Sequence, residues 1–354
     1  MPSQRSKGRN LVWCLGAALA LLSSACSPLG DPINPEASPN YYYSKGGDGV
    51  IYCAQGNWLK LGTHAVEGAD AATIEALASD LAVDKDRVYY RWHPQAQVDR
   101  KSLTVKAKVW SDRSRVYFPQ SGETLGRVDG ADPSSFRYLF PDDVNPRMWA
   151  RDAKRYFINH KPVDVDAPSF RFLNQGFVAD KDQIYHRNPA LRPVTRVDGP
   201  IEVLNDNHLR MGTKILSGGT WSPVVIEVPK VDSVREISRS VMVVNQNVYS
   251  RGKLVPSKQV DAATLKAWPD QHSYARDRQR VYATFGDLKA VEGADLKTFS
   301  PMKDYNAYAK DAQHVYYQGR IVSDADLESF EIVFRDKKPV ARDRHGEFVM
   351  GLRR

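Results

Sequence analysis

"YAKDAQHVYYQG" (308–319) and "YARDRQRVYATFG" (274–286) are two writings of one pattern. Each runs aromatic, Ala, basic residue, Asp, three further residues, then Val-Tyr. The blocks on either side of the Asp are built from Tyr, Val and their like, which suit strands. The residues between them, opening on Asp and mostly without Gly, disfavour a two-residue type I′ turn. They fit a four-residue loop around a type I turn, with the Asp carboxylate accepting a backbone N–H across the bend. Each copy therefore reads as a β-hairpin, and its register follows. The residue two before the Asp faces the aromatic five after it: Ala309 opposite Tyr316, Ala275 opposite Tyr282 and, in "WARDAKRYF", Ala150 opposite Phe157. Such cross-strand pairs contribute a few tenths to about 1 kcal/mol. Copies with Val178 or Trp110 in the Ala slot must pack differently. The opposite face holds Tyr308 or Tyr274 with Val315 or Val281, so both faces are apolar and a lone hairpin is not stable. Stacked neighbours have to cover it.

Anchoring on the Asp finds the unit again at Asp84, Asp112, Asp152, Asp180, Asp277, Asp311 and Asp343. Degenerate copies lie near Asn205 and around Tyr249, and an amino-terminal one centres on Tyr52. The aromatic slot is then Tyr52, Tyr89, Tyr117, Phe157, Tyr185, Tyr249, Tyr282, Tyr316 and Phe348, with Arg210 in one gap. The mean period is about 33 residues, in the range of repeat architectures. A second signature follows the hairpins: "VEGADAATI" (66–74), "VDGADPSSF" (128–136), "VEGADLKTF" (291–299) and "VSDADLESF" (322–330). It reads as a single helical turn capped by Asp70, Asp132, Asp295 or Asp326, with a Ser or Thr three residues later placed for back-bonding. Ile74, Phe136, Phe299 and Phe330 should drop from it into the core. Gly68, Gly130 and Gly293 suit a tight strand exit. After Asp70 the apolar pattern continues as "AATIEALASDLA", which predicts a helix of about three turns.

With these tandem motifs the chain resembles the DKNYY family, from about Asp48 to Met350, most clearly over 274–330 and least over 200–245. The resemblance implies an exported or membrane-associated bacterial protein of unknown activity. It carries no catalytic residues. The expected fold is mainly β: about ten hairpin-plus-turn units with single-turn helices. Unequal spacings favour an open or solenoid-like array, and a closed propeller-like array is the alternative.

The first residues read as an export leader, 1–25: Arg5, Lys7 and Arg9, then the apolar "LVWCLGAALALL", shorter than the roughly 20 residues a spanning helix needs. "LSSAC" puts small residues before Cys26 and resembles a bacterial lipobox, although Ser23 stands where Leu is commoner. Cys26 is thus the expected lipidation site, an ordinary secretory leader the alternative, and Ser27 after it points to the outer membrane of a Gram-negative bacterium. Residues 26–45, with four prolines, read as a lipidated Cys and extended tether, and 46–354 as the repeat domain. Of the three cysteines only Cys53 then remains besides Cys26, so neither an intramolecular disulfide nor a cysteine zinc site is expected. Cys53 reads as a small buried hydrophobe. The formal charge of +8 includes the three basic leader residues and suits anionic headgroups or acidic glycans. No dense basic cluster suggests nucleic acid.

The pairs Asp84/Asp86 and Asp180/Asp182 look like calcium ligands, but a calcium loop wants more oxygens, and other copies place Ser114, Gln279 or Gln313 at the second position. Solvated turns are the simpler reading. The eight histidines fall in no catalytic or metal motif, and no cofactor is expected. Aromatics outside the repeat's slots are the candidates for a recognition surface: Trp92 with His93, Trp221 and Trp268, together with Trp58 and Arg210. The expected function is a non-enzymatic envelope module binding protein or glycan. The alternative is a glycan-processing enzyme with carboxylates drawn from different repeats.

Overall fold

The computed structural model describes residues 27–140, 149–187, 190–218, 222–268 and 272–354. These residues carry ten four-stranded antiparallel sheets, and in each the spatial order of the strands is their order in the chain. The first sheet is β1 (Leu29–Pro32), β2 (Tyr41–Ser44), β3 (Val50–Tyr52) and β4 (His64–Ala65). A 3₁₀ turn (Ala54–Gly56) and a short α-helix, α1 (Trp58–Leu61), lie between β3 and β4. The remaining nine sheets span 75–94, 104–127, 137–163, 171–196, 201–227, 234–254, 266–290, 300–321 and 331–353. The inferred hairpin is the middle pair of strands of each sheet. The expected register is the observed one: Ala309 faces Tyr316, Ala275 faces Tyr282 and Ala150 faces Phe157. Val178 and Trp110 face their aromatics in the same way.

A sheet that lies between two neighbours buries both faces. In the ninth sheet Ala309 and Tyr316 pack towards the eighth, among Tyr274, Val281 and Phe299. Tyr308 and Val315 point the other way, onto Phe330, Ala341 and Phe348 at the tenth. The period of two thus feeds alternate residues into two different cores. The described chain divides into two compact units at Ala167/Pro168. In the first, three apolar clusters fill the gaps between sheets one to four. In the second, five fill the gaps between sheets five to ten. No cluster joins the first and last sheet of either unit among the described residues, so neither closes on itself. Ile74, Phe136, Phe299 and Phe330 enter these gaps from the connecting segments, each burial worth about 1.5–3 kcal/mol.

Three expectations are corrected. "AATIEALASDLA" is not a helix: Glu75–Ala78 and Leu81–Val83 are strands. Its apolar residues sit at intervals that a strand, a two-residue loop and a second strand reproduce as well as a helical stripe does. Two-sided burial selects the strands, with Ala76 and Ala82 facing the first gap and Leu81 and Val83 the second. The supposed tether 26–45 contains β1 and β2, and Tyr41 is fully buried. Its prolines bound a sheet edge rather than a spacer: Pro32 ends β1. Finally, Arg210 does not occupy the aromatic slot. The sixth sheet joins its middle strands through Gly212-Thr213, two residues instead of four, which shifts the alignment. Leu216 fills the slot, opposite Leu209, while Arg210 faces Ile215.

Candidate functional site

The repeated carboxylate is the most regular polar feature of the fold. At Asp311, Oδ1 accepts the N–H groups of Gln313 (2.8 Å) and His314 (2.7 Å), closing the hairpin loop. Oδ2 accepts the phenol of Tyr316 (2.6 Å) and the N–H of Asp295 (2.9 Å) in the preceding connecting segment. The hydroxyl of Thr298 donates to Asp295 (2.6 Å) and accepts the N–H of Ala312 (3.0 Å). One carboxylate therefore fixes its own turn, its own cross-strand tyrosine and the segment arriving from the previous sheet. The same pattern recurs at Asp84 with Tyr89 and Asp70, at Asp112 with Tyr117 and Asp99, and at Asp277 with Tyr282 and Asp261. The Ser/Thr of the second signature bonds back to its Asp, as expected, and is in addition a bridge to the next hairpin. That role was not visible in sequence because its partner lies 11 to 18 residues away.

Two of the sheets that carry the turn Asp depart from the pattern. Phe157 brings no phenol to Asp152, which keeps the backbone donors of Lys154, Arg155 and Asp132. Phe348 likewise leaves Asp343 without one, and there Arg353 supplies both guanidinium nitrogens at 2.7 and 2.8 Å while lying over the Phe348 ring.

The turn carboxylates are buried, not solvated: Asp84 is 2% exposed and Asp311 6%. Burial alone would raise the Asp112 pKa, but the hydrogen bonds from Tyr117 and the backbone of Asp99 and Ser114 outweigh it and hold it at about 2. Asp84, Asp277 and Asp311 are lowered in the same way. The partner phenols move oppositely: burial and the bond to Asp112 push Tyr117 up to about 12. A carboxylate held ionised by four donors neither donates nor takes a proton near neutrality, which is what acid–base chemistry requires. Asp86 and Asp182 are exposed, and among the described residues no group of three His, Cys, Asp or Glu is placed to hold a metal.

Of the proposed recognition residues, Trp92 and His93 lie together in the first unit, and in the second Arg210 and Trp268 fall on different sheets. Trp92 stacks on His64 (3.6 Å, 5°) and leans on Tyr52, covering the first gap, and His93 beside it lies 4.0 Å from Glu123. In the second unit Arg210 is 3.7 Å from Glu202 on the sixth sheet. Trp268, on the eighth, lies between the Arg276 guanidinium and Phe299. Trp221 and Cys26 are outside the described residues. Cys53 is fully buried, and that burial raises its thiol pKa.

A cleft of about 770 Å³ opens along sheets seven to ten of the second unit. Its floor is a series of glycine-bearing loops, Gln318-Gly319 and Met350-Gly351, whose N–H groups are tied to Tyr274 and Tyr308 of the preceding sheets. Arg251, Lys289 and Arg320 line it with Phe285, Tyr317 and Ile321. Those three cations form no ion pair among the described residues. Asp287 and Glu292 also line the cleft, with no tryptophan among the described residues that line it. Sequence reading missed this site because its residues follow the third strand of successive repeats, where the copies differ most.

The DKNYY family model matches residues 149–350. No curated protein and no solved structure matches the chain.

Proposed function

The chain belongs to the DKNYY family, and we propose that it is a lipid-anchored module of the bacterial cell envelope that binds a partner rather than catalysing a reaction. The observation that carries this reading is the saturation of the repeated carboxylates: each is occupied by structural donors, so the repeat supplies scaffold and leaves recognition to its surface. Support for the location comes from the leader and the "LSSAC" motif ending at Cys26. The outer membrane of a Gram-negative bacterium is the proposed site. The cleft over sheets seven to ten, with three cations beside Phe285 and Tyr317, suits an acidic glycan or an acidic protein segment, since rings and guanidinium groups together recognise such surfaces.

The test is capture from envelope extract with the native chain and an Arg251→Glu/Arg320→Glu variant. An acidic glycan or protein retained by the first and lost by the second is expected. Equal retention by both, or none by either, contradicts the proposed cleft.

A further inference from the structure

The connection from the third to the fourth strand is two residues long in the second, fourth, seventh, ninth and tenth sheets. In the first sheet it runs from Cys53 to Thr63 and contains α1. This insertion is built, not slack. The Asn57 Oδ1 accepts the N–H of Lys60 (3.3 Å), and the N–H of Gly62, at φ +73°, donates to the carbonyl of Trp58 (3.1 Å). Yet α1 buries none of its residues. Leu59 is 72% exposed and Leu61 53%, and every residue from Leu59 to Ala65 is exposed. A turn capped at both ends that holds "WLKL" in water adds nothing to the intersheet cores.

Its position supplies the occupant. Only Ser27 and Pro28 separate Cys26 from β1 of the same sheet. Two extended residues reach about 7 Å, and a four-residue strand spans about 13 Å. Leu29 pairs with Ser44 and Tyr41 with Tyr52, so α1 leaves the end of the sheet opposite to the anchor, one strand length away. An acyl-bearing Cys26 would hold the first sheet at the bilayer surface, and a sheet lying along that surface brings α1 down on it as well. We infer that α1 is a membrane-contacting finger: Leu59 and Leu61 enter the acyl boundary of a phospholipid bilayer, Trp58 lies at the interface, and Lys60 reaches the headgroup phosphates. The residue types match the physics of that boundary, where amphipathic rings and snorkelling lysines settle. The anchor and the finger together would fix how the first sheet lies on the membrane, where a lipid alone leaves it free to swivel. This inference rests on the reading of Cys26 as lipidated.

The experiment separates the two. The full chain is produced with its leader in a Gram-negative host, and palmitate incorporation is compared with a Cys26→Ala chain. Both are then placed with phosphatidylglycerol/phosphatidylethanolamine vesicles carrying brominated acyl chains. The Trp58 emission is taken as the difference from a Trp58→Phe chain. Quenching of that component is expected, with its loss in a Leu59→Ser/Leu61→Ser chain whose circular dichroism is unchanged. Label at Cys26 without quenching overturns the finger and leaves the anchor. Quenching without label overturns the anchor and keeps the finger, which then acts alone in the Cys26→Ala chain. Absence of both overturns both, and a Trp58 buried instead against a co-purifying protein overturns the finger.

Discussion

Asp112 illustrates what a single residue does in this fold. With its carboxyl held at about 2 against roughly 3.9 in an unfolded chain, it favours the folded state whenever it is ionised. That contribution is complete above about pH 5 and is lost as the pH falls through the folded value. Asp84, Asp277 and Asp311 are lowered as well, so the losses coincide. Thermal melting should be insensitive to pH between 7 and 5 and fall steeply between pH 4 and 2. A melting temperature that stays level to pH 2 would remove the carboxylates from the stabilising set. Phe157 offers the converse test. It occupies the slot that elsewhere carries a phenol to the turn Asp, and it is fully buried beside Asp152. Phe157→Tyr should supply the missing donor and stabilise by about 1 kcal/mol, raising the melting temperature by about 2–4 °C.

At the scale of the elements, loops decide which strands can stack. Gly319, at φ +81°, sits in a two-residue loop whose N–H meets the Tyr274 phenol, and an added Cβ would lie 2.6 Å from that of Ala283. Gly319→Ala should therefore cost about 2–4 kcal/mol, combining left-handed strain with overpacking. Gly212, at φ +59° with open space around it, should lose only the strain, about 1–2 kcal/mol on the same substitution. Urea denaturation of both variants measures the difference. These loops also show where sequence reading stops. The hairpin around Asp311 was legible because its turn chemistry and its register are local, within eight residues. The outer strands were not, because two-residue segments such as Arg320–Ile321 carry no periodicity of their own and are strands only by pairing. The helix expected after Asp70 failed for a related reason: burial on two faces erases the alternation that would have marked a strand. The cleft was hidden further still, its lining residues lying outside both signatures.

For the whole molecule, stability resides in gaps between neighbouring sheets rather than in one core. Arrays of this kind gain stability from each repeat and each shared interface. All five apolar clusters of the second unit are made from residues after Pro168. The most direct test of this account is equilibrium urea unfolding of residues 168–354 produced alone, followed by circular dichroism and tyrosine fluorescence. The account predicts a folded β-rich fragment that unfolds cooperatively at a midpoint the full chain also displays. A fragment without β signal in the absence of urea would contradict it.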